Sequence, residues 1–377
     1  ATQMLGDMGA SVIKVESPAG DNMRWVGPMR NPGMGHIFMH ANRNKRSLTL
    51  NLKHPAAKAA LLKLVAQSDV LVFNVRPQAM ARLGLDYAAV KAANPAIIYV
   101  GAFGYSEDGP YAGRPAYDDL IQGAAGIPAL MQAQSNDMPR YAPVTLADRS
   151  VGLQTAIAIL GALYHRQATG EGQSVEVTMF ESLAQFVLGD HLGGKSFEPA
   201  IGEPMYARLV SPHRRPYATK DGYLCVLIYN DKHWARFFEV IGRPDLQADP
   251  RFCSHSARAA HIDAVYEFVA EVMQTRTTAD WQEALTVADI PVAPMNDMAS
   301  LINDPHLAAI GFLPEFDHPS EGRFRTPAPL GKWSATPPQI RTLAARLGEH
   351  SREILGELGY SEGEINVMMA EGAAAEG

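Results

Sequence analysis

Asp69-Val-Leu-Val-Phe-Asn74 and Ala96-Ile-Ile-Tyr-Val100, two short apolar runs with helical patterns at 77–83 and 87–93 between them, decide the fold. Each run is too short for a helix, rich in β-branched residues and bounded by turn formers, as a strand buried on both faces is. Working outward, Ser11-Val-Ile-Lys-Val-Glu16 and Ser47-Leu-Thr-Leu-Asn-Leu52 read as further strands, and Pro55 to Ser68 as the helix that follows them. Strand and helix in alternation build a parallel sheet covered on both faces, so the fold class expected is α/β with a Rossmann-like large domain. Ligands on such sheets gather at the C-terminal strand ends.

Further along, Pro143 to Ser182 holds a carboxylate at Asp148, then the apolar segment Val151-Gly-Leu-Gln-Thr-Ala-Ile-Ala-Ile-Leu-Gly-Ala-Leu-Tyr-His-Arg166, a Thr169-Gly-Glu-Gly172 stop and the strand Ser174 to Met179. A helix this apolar is buried on most sides. Asp148, just ahead of it, can cap the first-turn N–H groups and be favoured as an anion by the helix dipole. Asp118 and Asp119, which open another apolar helix, read equally well as first-turn acids.

The 377 residues, 47% apolar and 19% charged, suffice for two globular domains. A net charge of −7 gives no general attraction to nucleic acid or to an anionic membrane, so an anionic ligand needs a local basic cluster. Cys225 and Cys253 are too few for a disulfide framework or a zinc site. No bound metal, no nucleic acid, no membrane span and a cytoplasmic location are expected. Neither G-x-G-x-x-G after a strand nor G-x-x-x-x-G-K-S/T occurs, which argues against nicotinamide and P-loop enzymes.

Leu146-Ala-Asp148-Arg-Ser-Val-Gly152 with His165-Arg-Gln-Ala-Thr-Gly170-Glu-Gly172-Gln173, Asn42-Arg-Asn-Lys45-Arg46-Ser47, and Asn74-Val-Arg76-Pro-Gln-Ala-Met-Ala-Arg82-Leu-Gly84 together resemble the family III CoA-transferases, the CaiB/BaiF or formyl-CoA transferase-like family. The likeness runs over essentially the whole chain. It implies the interlocked homodimer fold of that family and exchange of CoA between an acyl-CoA thioester and a small carboxylic acid. By the resemblance Asp148 is the nucleophile, passing through an acyl-aspartyl anhydride and an aspartyl-CoA thioester, with Tyr117 and Asp118 lining the thioester site. Leu50, Asn51, Leu52, Lys53, Asn74, Val75, Arg76, Arg82, Leu83, Pro115 and Ala116 are then the groups that contact coenzyme A, which is a substrate and not a resident cofactor. The plainer reading of the basic residues among them is a solvated surface. Gly152 and Gly123 to Gly126 are candidate N–H donors to a developing oxyanion. Where the family has an arginine after the first strand's glutamate this chain has Ser17, so a phosphate contact is expected to be lost or moved to Arg24.

Two alternatives stand beside this activity. The 2-methylacyl-CoA racemases place a histidine where this chain has Tyr117, and a phenol with a pKa near 10 is a poor base at neutral pH, so transfer is favoured. A CoA-binding but inactive relative is the other alternative. The family has a first strand and a loop ahead of a helix like Ala1 to Ala10, so the chain is expected to be a fragment that starts inside that pattern. The domains expected are 1–189 large, 190–208 linker, 209–325 small α+β, and 326–377 a return with a C-terminal helix on the large domain.

Overall fold

The computed structural model describes residues 1–377. The chain divides into two compact units, one of residues 1–121, 146–183 and 304–377, the other of 122–145 and 184–303.

In the first unit the expected parallel pairing is present. Val12–Glu16 runs parallel to Lys45–Leu50, with Val12 opposite Lys45. Ile98–Phe103 lies between Val70–Phe73 and Ser174–Thr178, both parallel to it. The strands form two three-stranded sheets, because Ala374–Ala375 closes the first as an antiparallel edge on Lys45–Leu50. Two boundaries shift for local reasons. Asn94 accepts from Ala96 N–H and donates to the carbonyls of Val65 and Ser68, so Ala96 is held in a turn and the strand starts at Ile98. The other strand ends at Leu50 because Asn51 N–H bonds Ala373 O and His54, as N-cap, accepts from Ala56 N–H to start Pro55–Ala66.

Leu48, Val65, Val90, Ile97 and Tyr99 share one core with Ile354, Leu355, Ile365 and Met368, so the two C-terminal helices complete the core begun by the N-terminal half. The hairpin Glu315–His318 with Gly322–Arg325 also belongs to this unit, although the sequence boundary put it in the small domain. Glu321 accepts from Asn31, Thr326 from Arg43, and His318 meets Ala344 O, bonds invisible in the local pattern.

The second unit is α+β, as expected. Tyr217–Ala218, Tyr223–Val226 and Val292–Pro294 form an antiparallel sheet, and Asp231–Val240, Ile262–Met273 and Thr278–Val287 bury Trp234, Phe237, Phe238, Met273 and Trp281. His261 separates the helix His255–Ala260 from Ile262–Met273. Residues 122–145 belong here too, carrying the helix Ile127–Ser135 that the sequence reading did not separate, because Gln134 donates to the carbonyls of Leu209 and Arg214.

Leu146–Thr169 is 24 residues long and, by length and composition alone, apolar enough to cross a membrane. A core helix passes the same test, and this one packs Ile159 and Ala162 against Ile98 and Val100 of the sheet. Gly170, at φ +80°, ends it, and its N–H bonds Arg166 O at 2.7 Å. A Cβ at Gly172 would lie 2.3 Å from Ile97 O, so only glycine lets the chain pass this close and enter the strand Ser174–Thr178.

Arg24 is a correction. It is fully buried, forks Glu16 at 2.8 and 2.7 Å, donates to Ala345 O at 3.3 Å and stacks on Phe38 at 3.8 Å, so it cannot serve a phosphate. Burial alone would raise the Glu16 carboxyl, but Arg24 and then Lys14 hold it below its ordinary value. The pair therefore stabilises the fold above the ordinary carboxylate pKa, and that contribution is lost on acidification. Arg24→Met is expected to destabilise by about 3–5 kcal/mol by leaving the buried Glu16 charge without its guanidinium, lowering the melting temperature measured by calorimetry. Adding Glu16→Leu should return most of the loss; a single variant that melts with wild type would refute the assignment.

Candidate active site

The helix Leu146–Thr169 begins two residues ahead of Asp148, so Asp148 lies in the first turn and is not the cap that the sequence suggested. First-turn N–H groups have no partner within a helix. That of Asp148 donates to Asp118 Oδ1 at 3.0 Å. The cap is thus supplied by the first residue of another helix, Asp118–Ala124. Only the fold could bring the two together, since 30 residues separate them in the chain.

This arrangement sets the electrostatics of Asp148. The residue is open to solvent, yet protein groups crowd its carboxylate, and burial is the first cause that raises its pKa above the ordinary value. The negative charge of Asp118 adds to the rise, and Arg149 opposes it. Helix-dipole stabilisation of the anion, expected from sequence, is outweighed here. A partly desolvated carboxylate next to open solvent can act as a nucleophile or base. Tyr117 precedes Asp118, accepts from Ile121 N–H through its carbonyl, and is 73% exposed with no hydrogen bond to Asp148. Asp119 is exposed.

The loop 104–116 lies over the C-terminal strand ends. Phe180 N–H bonds Gly104 O at 3.0 Å, Ser106 N–H bonds Glu181, and Glu107 N–H bonds Glu176. A Cβ on Gly104 would sit 2.3 Å from that of Ala116, which presses the end of the loop on the strand it left. Arg76 donates to Gly113 O at 3.2 Å and Gln78 to Glu107 at 2.5 Å. Exposed Asn74, Val75 and Arg76 are thereby joined to exposed Pro115 and half-buried Ala116, and from there the chain runs directly to Asp118. The remaining candidates are more scattered. Arg82 and Lys53 are exposed, while Leu83 and Leu52 are half-buried against the core. Leu50 is buried and its side chain is closed to any ligand; half-buried Asn51 gives its N–H to Ala373. Of the proposed N–H donors, Gly126 is committed to Gly123 O, and Gly152 lies inside the helix beyond the unpaired first turn.

Sequence reasoning missed two residues. Gln122 is buried, accepts from Ala142 N–H at 2.9 Å and donates to Val144 O at 3.3 Å, fixing the stretch that leads into the Asp148 helix; its only signal was an amide inside an apolar helix. Arg149 was visible only as the neighbour of Asp148.

The chain is 35% identical over 382 residues to the succinyl-CoA–L-malate CoA-transferase beta subunit of Chloroflexus aurantiacus, covering 96% of this chain and 91% of that protein. It is 30% identical to the succinate–glutarate CoA-transferase of Agrobacterium fabrum (95% and 91% covered) and 31% identical to the formyl-CoA:oxalate CoA-transferase of Streptomyces coelicolor (99% and 94%). Among solved structures, a CaiB/BaiF family protein from Brucella suis superposes with a TM-score of 0.77 at 30% identity, covering 94% of each chain. A hypothetical protein from Mycobacterium tuberculosis gives 0.80 at 25%, covering 94% and 93%. The family model for CoA-transferase family III matches residues 1–351, and with these likenesses over nearly its whole length the chain belongs to that family of enzymes.

Proposed function

We propose that this enzyme moves CoA from an acyl-CoA, with succinyl-CoA the favoured donor, to a small carboxylic acid, and that Asp148 is first acylated and then holds the CoA as a thioester between them. The observation that carries the reading is the Asp148 carboxylate, desolvated and pressed by Asp118 at the head of the helix. Relatives named for succinyl-CoA and succinate support the donor.

In this mechanism an Asp148 oxygen attacks the thioester carbonyl, forming a C–O bond and expelling CoA as thiolate. The product is a mixed anhydride. The thiolate attacks the aspartyl carbonyl of the anhydride, releasing the donor acid as its carboxylate and leaving an aspartyl-CoA thioester. The acceptor carboxylate then attacks that thioester, and the thiolate finally takes the acceptor acyl group and frees Asp148. Each hard exchange is divided into easier ones. Loss of solvation sharpens a weak nucleophile, and Asp118, bonded to the Asp148 backbone, holds the turn in place throughout. Asn74 to Arg76 with the 104–116 loop is where the nucleotide end of CoA is expected to lie, arginine forking a phosphate.

The same helix supports a homodimer. Its outer stripe of Leu153, Ile157, Leu160 and Tyr164 is 49%, 69%, 46% and 77% exposed at spacings of four, three and four residues. A second copy of this chain is the occupant that the family's interlocked assembly implies.

Asp148→Asn is expected to lower transfer by more than about 100-fold while CoA still binds by calorimetry, because a covalent step tolerates no amide in its place. Folding pays for ionising Asp148, so the variant should melt no lower than wild type at neutral pH, with any gain vanishing as pH falls below the ordinary carboxylate value. Retained transfer would exclude Asp148 as the nucleophile.

Asp118→Asn keeps an acceptor for the Asp148 N–H and removes the charge. The acid limb of kcat/KM should move to lower pH, since less repulsion lets Asp148 ionise sooner. A limb that stays in place would assign it to another group. Sedimentation of wild type should give a dimer, and Ile157→Glu should weaken it; a monomeric wild type at micromolar concentration would dismiss the assembly.

A further inference from the structure

Gln122 sits one turn beyond Asp118 on the helix Asp118–Ala124, and residues four apart on a helix share a face. Both side chains of that face reach the run that enters the Asp148 helix. Asp118 Oδ1 accepts from the Asp148 N–H at 3.0 Å. The fully buried Gln122 amide accepts from Ala142 N–H at 2.9 Å through Oε1 and donates from Nε2 to Val144 O at 3.3 Å. Between those two points the chain turns back on itself, Val144 N–H donating to Ala142 O at 2.8 Å. Pro143, Val144 and Thr145 are exposed, so burial of their side chains does not fix this run, and its place is set by hydrogen bonds. One N–H and one C=O must be met together, which an amide does and neither an ionised carboxylate nor an apolar side chain can. The helix that presents the amide is itself held by Ile121, which has no exposed surface.

We propose that Gln122 is a positioning residue for the reaction: with Asp118 it forms a two-point clamp that fixes the run 142–148 and so holds Asp148 in place to meet the thioester. The inference rests on the reading of Asp148 as the acylated residue. A carboxylate that must approach a carbonyl carbon along one line gains much of its rate from being held there, and a shift of about 1 Å can cost on the order of 100-fold. The bond from the Asp148 N–H to Asp118 fixes the first turn at one point, about which it could pivot. Gln122 supplies the second point, ahead of the helix, and removes that freedom. The same clamp keeps Asp148 in the crowded setting that, together with the charge of Asp118, raises its pKa. Once the run is released, water reaches the carboxylate and its pKa returns towards the ordinary value.

Gln122→Met keeps the length of the side chain and removes both bonds. It should lower kcat by about 10- to 100-fold with KM for succinyl-CoA little changed, because the loss is of placement and not of substrate binding. The acid limb of kcat/KM should move to lower pH, as Asp148 ionises more readily. Combined with Asp118→Asn, it should shift the limb by less than the sum of the single shifts, since both act on one turn. Gln122→Glu, which keeps an acceptor for Ala142, should lie between Gln122→Met and wild type in kcat, and it carries the test if Gln122→Met does not fold. A folded variant that melts lower but keeps the wild-type kcat and acid limb, or limb shifts that simply add, would reduce Gln122 to a structural residue and overturn the proposal. Hydroxylamine trapping with succinyl-CoA separates the two readings. No hydroxamate at position 148 in wild type refutes the reading of Asp148, and the proposal falls with it; a hydroxamate that forms there as fast in the variant as in wild type refutes the clamp alone.

Discussion

The hydrogen bond from the Asp148 backbone to the Asp118 carboxylate is the constraint on which the site depends. It satisfies a first-turn N–H that the helix itself cannot pair, and in doing so places a second negative charge next to Asp148. Stability and chemistry are coupled through that one contact. The bond that caps the helix also raises the pKa of the group at its head, with burial as the larger cause and Arg149 as the counterweight. A nucleophilic carboxylate needs such treatment, because in water it is well solvated and weak.

The helix behind Asp148 explains why so apolar a segment is compatible with a polar site. Ile159 and Ala162 face the parallel sheet, while Leu153, Ile157, Leu160 and Tyr164 face outward. Two apolar faces leave polar groups to the ends, where Asp148 and Arg149 meet the first turn and Arg166 bonds Asp69 at the other. The sheet fixes the axis of the helix, and hence the position of its first turn, through side chains with little freedom to adjust.

Basic residues illustrate how burial redistributes apparent function. Arg24 was expected to meet a phosphate, but it is held by Glu16, just as Arg43 is held by Asp7 and Arg46 by Glu353 and Glu357. Arg76 instead tethers the 104–116 loop through a carbonyl and remains exposed. Arg149 differs from the first group in forming no ion pair, although its charge acts on Asp148.

From the chain alone, period and punctuation determined the α/β class, the strands at 12–16, 70–73 and 98–103 to within two or three residues, the helices Pro77–Leu83 and Tyr87–Ala93, and the glycine stop at Gly170. These features depend on neighbours a few residues apart, which a sequence displays directly. Asp148 stood out by its motif. Tertiary structure alone decided that Asp148 lies inside the helix with its cap supplied by Asp118, that Arg24 is buried, and that the hairpin from Glu315 to Arg325 joins the first unit. Each of those outcomes is set by charges and hydrogen-bonding groups brought together from distant parts of the chain, and no local pattern encodes which distant partner will arrive.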